Sequence, residues 1–329
     1  MEDNKRYEIT MALSDKINIY LGDETYNKLI DDCKSFEIFR DNGNKLNINK
    51  FYNLLINNFL KDYLTSIDRL ADNIFSQLQP IIAEKDDHKF RKASKRIAYN
   101  NSVKPIINKE KNNKTLSIII NKDSIPTIAA AIAKSLDDVE LSVFFRGMIL
   151  SYLSLPTYKR EQIIFAKRYK TVLEAIKKKE SIDYVTPKTK EIHTYYPAYV
   201  ETSEHELFNY VIGEHVGKNH HTNSIRLARM ENVYLSNKHS EFAPVFHEHY
   251  LRMKKHGVQF RIDKDEFHTI LLTKEGYESF QSNYLERPIP FEEKPKPDQD
   301  GNFTLTFNCS EFQFNKYFEP FKDKIIKKK

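Results

Sequence analysis

The chain has 329 residues, of which 40% are apolar and 30% charged, with a formal charge of +6. That length exceeds one ordinary hydrophobic core and calls for two or three domains. The balance is that of globular domains, and it excludes a membrane span because no apolar run is long enough to cross a bilayer. Only Cys33 and Cys309 occur, far apart and without Cys-x-x-Cys spacing, which excludes a disulfide framework and a thiolate zinc site and leaves two core thiols. The opening MEDNKRYEIT carries acids and no apolar leader core, so a cytoplasmic location without membrane attachment is expected.

The first patterned segment is Lys16 to Leu21, whose alternation places Ile17, Ile19 and Leu21 on one face of a strand and Lys16, Asn18 and Tyr20 on the other. A helix follows, opened by Asp23 and Glu24 and striped by Tyr26, Leu29, Ile30 and Cys33. After the turn residues Asp41 to Asn44, a second helix capped by Asn47 carries Phe51, Leu54, Leu55, Asn58 and Phe59 down one side. Between Lys85 and Lys114 ten basic residues meet only three acids, so this stretch holds the whole cationic excess of the chain. Lys92, Lys95 and Arg96 lie at its centre as candidates for a polyanion. A solvated, partly disordered connector is the plainer alternative.

The strand-helix-helix order then returns: Leu116 to Ile120 as strand, a helix from about Ser124 to Lys134, and a helix from Leu141 to Leu153 with Phe144, Phe145, Met148, Ile149 and Tyr152 on one face. A lone short strand cannot satisfy its edge groups, so the two copies are expected to pair as a two-stranded antiparallel ribbon. The arrangement resembles the ribbon-helix-helix fold with both halves in one polypeptide. Such ribbons read DNA in the major groove, and Lys16, Asn18 and Tyr20 are the candidates here. The acids Asp137, Asp138 and Glu140 oppose a phosphate at the second long helix, so a purely structural repeat stands beside the DNA-reading one. Pro156 opens a helix expected to run to Lys179 as a linker.

From Ser181 to Leu235 the period becomes that of strands: Ile182–Val185, Ile192–Val200, Leu207–Ile212, Ser224–Leu227 and Met230–Leu235, a number and spacing that suggest a small barrel. Phe208-Asn209-Tyr210-Val211-Ile212-Gly213 followed by Ser224-Ile225-Arg226-Leu227-Ala228-Arg229 resembles the signature of the WYL family, an aromatic-Tyr-aliphatic strand and then an Arg-Leu-x-Arg strand. Tyr196-Pro197-Ala198-Tyr199 fits the family's approach to its barrel. The family's first signature position is normally Trp, and Asn209 stands there in a chain without tryptophan.

The resemblance implies an Sm-like SH3-type β-barrel that binds nucleic acid or a nucleotide-like ligand, with Tyr210, Arg226, Arg229 and Tyr199 as its site residues. An arginine fork suits phosphate and an aromatic ring suits a base. The open alternatives are that Tyr210 is core and that one arginine pairs with Glu231. Behind the barrel, strands at Val258–Ile262, Phe267–Leu272 and Phe303–Phe307 and helices near Glu275–Leu285 and from Ser310 make an α/β extension. In the family this extension serves dimerisation; Phe312, Tyr317, Phe318 and Phe321 suit either an interface or the extension's own core. The domain order looks most like the accessory proteins of type VI-D CRISPR systems, which implies a homodimer that binds single-stranded RNA and modulates an RNA-guided ribonuclease. A ligand-sensing transcriptional regulator is the other class kept open, and a scaffold that only recruits a protein the third.

The expected fold class is therefore α+β. Its expected parts are a first ribbon-helix-helix half (1–64), a basic helical connector (65–113), a second half (114–155), a linker helix (156–180), the barrel (181–238) and the extension (239–329). No enzyme is called for. His247-Glu248-His249 and His220-His221 come without a third ligand, and neither a nucleophile elbow nor a P-loop occurs, so no metal or cofactor is expected.

Overall fold

The computed structural model describes residues 2–40, 43, 45–81, 87–107, 114–136, 140–187, 189–202, 208–216, 222–239, 241–258, 265–283 and 287–328. Outside them lie the Asp41–Asn42 turn with Asn44, Lys85, Lys109, Lys111, Asp137, Asp138, Leu207, His220-His221, the core of the strand expected at 258–262, and Leu285. The chain divides into two compact units, Met1–Ile164 and Phe165–Lys329.

In the first unit the order is α1 (Glu2–Ser14), β1 (Ile17–Leu21), α2 (Asp23–Ser35), α3 (Ile48–Leu78), α4 (Asp87–Ile107), β2 (Lys114–Ile118), α5 (Ile125–Ser135), α6 (Leu141–Leu153) and α7 (Thr157–Ile164). The expected pairing occurs: β1 and β2 run antiparallel with Ile17 opposite Ile118 and Ile19 opposite Leu116. Ile17, Ile19, Leu21, Leu116 and Ile118 are buried, while Lys16, Asn18, Tyr20, Thr115 and Ser117 face out. The second strand starts and stops two residues earlier than its apolar run, for a local reason. The Asn49 side chain of α3 accepts from Ile119 N, and Asn53 both donates to Ile119 O and accepts from Asn121 N. Side-chain amides thus take over the hydrogen bonds a longer ribbon would have made.

Asn47 caps α3 by accepting from Lys50 N at 3.1 Å, and the helix then runs unbroken through residue 64, where a domain boundary was expected, to Leu78. Its apolar side meets α6 in a ring cluster: Phe51 and Phe59 touch Tyr152 edge-on at 6.3 and 6.2 Å, and Tyr63 meets Phe144 at 5.5 Å. Such pairs add about 0.5–1.5 kcal/mol each beyond burial. One polar tie joins α2 to α7. Asp32, 3% exposed, accepts two hydrogen bonds from the Arg160 guanidinium at 2.7 and 2.8 Å. The helix expected from Pro156 to Lys179 is two helices, because the backbone leaves helical geometry at Phe165 before α8 (Ala166–Lys178) begins.

The second unit continues with β3 (Ile182–Val185), β4 (Ile192–Glu201), β5 (Tyr210–His215), β6 (Thr222–Arg226), β7 (Glu231–Leu235), α9 (Phe246–His256), β8 (Phe267–Leu272), α10 (Lys274–Ser282), β9 (Phe303–Asn308), α11 (Glu311–Phe318) and β10 (Ile325–Lys328). Strands β3 to β7 form one antiparallel sheet in the order β6-β5-β4-β3-β7. A single 3-10 turn, Leu227–Arg229, links the two edge strands in sequence. No ladder joins β6 to β7 among the described residues, so the closed barrel expected from the strand count is an open sheet. At Gly213 the β4 backbone comes so close that an added Cβ would lie 2.1 Å from the Tyr196 carbonyl oxygen; only glycine fits.

The C-terminal part is a three-stranded antiparallel sheet, β10-β8-β9, with α10 and α11 on it. Ser310 opens α11 with a reciprocal capping box to Gln313. Phe314, Tyr317, Phe318 and Phe321 are buried here with Phe280 and Phe307, so three of the four expected interface aromatics are this part's own core. Phe312 alone of them is exposed.

Candidate nucleic-acid interface

Helix α4 is amphipathic in an unusual sense. Phe90, Ser94 and Ala98, four apart, are buried. The Phe90 ring packs against Phe75 of α3 at 4.9 Å, tilted by 40°, and the small Ser94 and Ala98 leave no bulk on that face. The neighbouring face carries His88, Arg91, Lys92, Lys95, Arg96 and Tyr99, whose steps of three and four place them along one stripe. With Lys134, Ser135 and Leu136 from the end of α5 they line a cleft of about 320 Å³.

Two of these cations are held in place from α3: Lys95 reaches Asp68 at 2.7 Å and Arg91 reaches Asp72 at 3.5 Å, with the Arg91 guanidinium 4.2 Å from the Phe75 ring centre. Arg96 and Lys134 are exposed and form no ion pair among the described residues. Like charges at helical spacing oppose the helix by roughly 0.2–0.5 kcal/mol a pair. A bound anion relieves that repulsion. The negative end of α5 does not repel such an anion, because Lys5 of α1 donates to the carbonyls of Ala133 and Leu136. Burial, reinforced by Glu140, pushes the Tyr99 phenol up to about 12, so the ring stays neutral beside the cations.

Of the residues expected at a site, Lys92, Lys95 and Arg96 are thus brought together. His88, Tyr99 and Lys134 join them and were not foreseen. His88 obeys the same helical spacing and was readable from it; Lys134, far along the chain in another helix, has no local signal.

The remaining candidates stand apart. Lys16, Asn18 and Tyr20 lie on the outer face of the ribbon, where Ser117 donates to Asn18 at 2.7 Å and Ile119, 59% exposed, sits nearby. In the second unit Tyr210 and Arg226 face each other across β5 and β6, and both are buried. The Arg226 guanidinium lies 3.3 Å from the centre of the Phe208 ring. Arg229 falls in the 3-10 turn and is exposed. That turn resolves how two arginines three apart part company, and Glu231 is engaged by Lys190 at 3.1 Å.

Tyr199 lines a second, larger cleft of about 770 Å³. Its ring stacks on Tyr250 at 4.0 Å, while Tyr196 stacks on Phe242 at 4.3 Å and Phe242 on Phe246 at 4.2 Å. The Tyr250 hydroxyl donates to Glu201. His247-Glu248-His249 lie on α9, where residues two apart point to different sides. Among the described residues no group of three His, Cys, Asp or Glu is placed to hold a metal ion, and no helix is long and apolar enough to cross a membrane.

The fold and clefts define a mixed α+β protein of two units, one built on a paired strand-helix-helix repeat and the other on two small antiparallel sheets. That fold is shared with a solved structure described as a CRISPR Cas-related protein, which aligns over 95% of this chain and 89% of its own at a TM-score of 0.63 and 19% identity. A far weaker match, at a TM-score of 0.23 and 14% identity, covers 44% of this chain and 22% of the proteasome accessory factor B/C (PafBC) of Arthrobacter aurescens. No family model matches the chain, and no curated protein matches it.

Proposed function

We propose that the chain is a non-enzymatic, cytoplasmic accessory protein of a CRISPR system, which binds single-stranded RNA and modulates an RNA-guided ribonuclease of type VI-D. The observation that carries this reading is the cationic stripe of α4 gathered with Lys134 around one cleft. Such a surface offers phosphate contacts without base-reading geometry, which suits a strand held regardless of sequence. The shared fold with a CRISPR Cas-related protein agrees with the role. The paired repeat acts in this reading as a ribbon-helix-helix element, the five-stranded sheet as the WYL module with Arg229 and Tyr199 toward ligand, and the C-terminal part as the homodimer contact through exposed Phe267, Phe291 and Phe312.

A second reading has its own observation. The ribbon exposes Lys16, Asn18, Tyr20 and Ser117, polar groups able to read base edges, as a DNA-binding regulator requires. Fluorescence anisotropy with labelled single-stranded RNA and duplex DNA of equal length, across salt, separates the two. Tighter RNA binding that survives physiological salt is expected. A preference for duplex that Asn18→Ala abolishes favours the regulator, and no binding to either leaves a scaffold that recruits protein alone.

A further inference from the structure

The charge at the α4 cleft is concentrated rather than strung out. His88 to Arg96 spans about 12 Å of helix axis at 1.5 Å per residue. A groove that tracks a single strand spreads its contacts over roughly 4–16 nucleotides. Here Lys92 and Arg96 from α4 and Lys134 from α5 line one volume of about 320 Å³ instead. That lies at the small end of ligand sites, which run from about 300 to 1,000 Å³.

The chemistry sorts the phosphates. A backbone phosphodiester brings one negative charge, whereas a phosphate monoester carries about −1.5 to −2 near neutral pH and three acceptor oxygens. Arg91 and Lys95 are already engaged by Asp72 and Asp68, so they set the wall. Arg96 and Lys134, unpaired among the described residues, supply donors from two directions, and the half-buried Tyr99 ring lies beside them.

We propose that this cleft captures a phosphate monoester, the phosphorylated end of an RNA chain, with Lys92, Arg96 and Lys134 on the phosphate and Tyr99 against the terminal nucleotide. This rests on the nucleic-acid reading above and adds that the protein recognises an end.

The test uses the full chain and one short oligoribonucleotide made with a 5′-phosphate, a 3′-phosphate or hydroxyls at both ends, with adenosine monophosphate and inorganic phosphate as competitors. One phosphorylated end binds more tightly than the hydroxyl form by about tenfold, the size of one charge-assisted contact. Arg96→Gln and Lys134→Gln, both at exposed positions, each narrow that difference to within about twofold. Competition by the mononucleotide but not by inorganic phosphate supports the tyrosine's part. Equal affinity for all three RNAs overturns the end-capture proposal while leaving the nucleic-acid reading intact. Failure of every RNA to bind overturns that reading itself. Competition by inorganic phosphate as strong as by the mononucleotide overturns the role given to Tyr99.

Discussion

The two units build their clefts by opposite means. In the first, one helix supplies nearly the whole wall as a row of cations, steadied from behind by Asp68 and Asp72. In the second, rings from β4, the segment after β7 and α9 stack on one another, and the wall exists only once those pieces meet. Stacked rings stabilise their own arrangement, at about 0.5–1.5 kcal/mol a pair beyond burial, whereas like charges cost stability until an anion arrives. The cationic cleft is therefore the one whose composition asks for a ligand.

The units also differ in what holds each together, and the greatest change is expected there. Arg160→Ala strands Asp32 in the interior of the first unit, which costs about 3–5 kcal/mol in urea-induced unfolding. A cost under 1 kcal/mol shows that the pair is dispensable and that the ring cluster alone holds the unit.

A smaller effect separates two arginines of the second unit. Arg226 is 8% exposed with its guanidinium on the Phe208 ring, so Arg226→Ala lowers stability by about 2 kcal/mol, the scale of a desolvated cation–π contact. Exposed Arg229→Ala stays within about 0.5 kcal/mol in stability and acts on RNA affinity instead. Thermal melts and anisotropy on the two variants check the split; the reverse assignment contradicts it.

The smallest effect gives each unit its own clock. Burial pushes the thiols of Cys33 and Cys309 up to about 12, first by desolvation and then through Asp32 and Glu266 respectively. At pH 8 roughly one thiol in ten thousand is then the reactive thiolate. Both are expected to react with a disulfide reagent only when their unit opens, which modification rates in the single-cysteine variants Cys33→Ala and Cys309→Ala resolve. Rapid native labelling of either thiol contradicts this.

Much of the first unit was legible because its signals are local. The alternation of Ile17, Ile19 and Leu21, the Asn47 cap, the apolar stripe of α6 and the charge of α4 each lie within a few helical turns or one strand. What escaped depends on partners far away in sequence. Helix α1 has little apolar face, and it is fixed by buried Leu13 and by Lys5 on the end of α5. The ribbon's second strand is shifted two residues earlier, its expected end held by asparagines of α3, and Lys134 joins the cleft only through packing. In the second unit the strand pattern placed the sheet but not its openness. Closure depends on hydrogen bonds between β6 and β7 that no period reveals. The ring-lined cleft was hardest, since Tyr199 was visible as a candidate while nothing showed that Phe246 and Tyr250 stack on it or that Phe242 stacks on Tyr196 beside it.

Whether α4 holds the RNA is decided by the salt dependence of single-stranded RNA binding in the wild type and in the double variant Lys92→Ala, Arg96→Ala, which leaves the Lys95–Asp68 and Arg91–Asp72 pairs in place. Each phosphate that the protein no longer neutralises lowers the slope of log affinity against log salt by about 0.7. A slope shallower by about 0.7 to 1.4 for the variant, as the two cations hold one phosphate or two, with weaker binding and an intact fold, is the predicted result. An unchanged slope at unchanged affinity contradicts it and moves the RNA off α4.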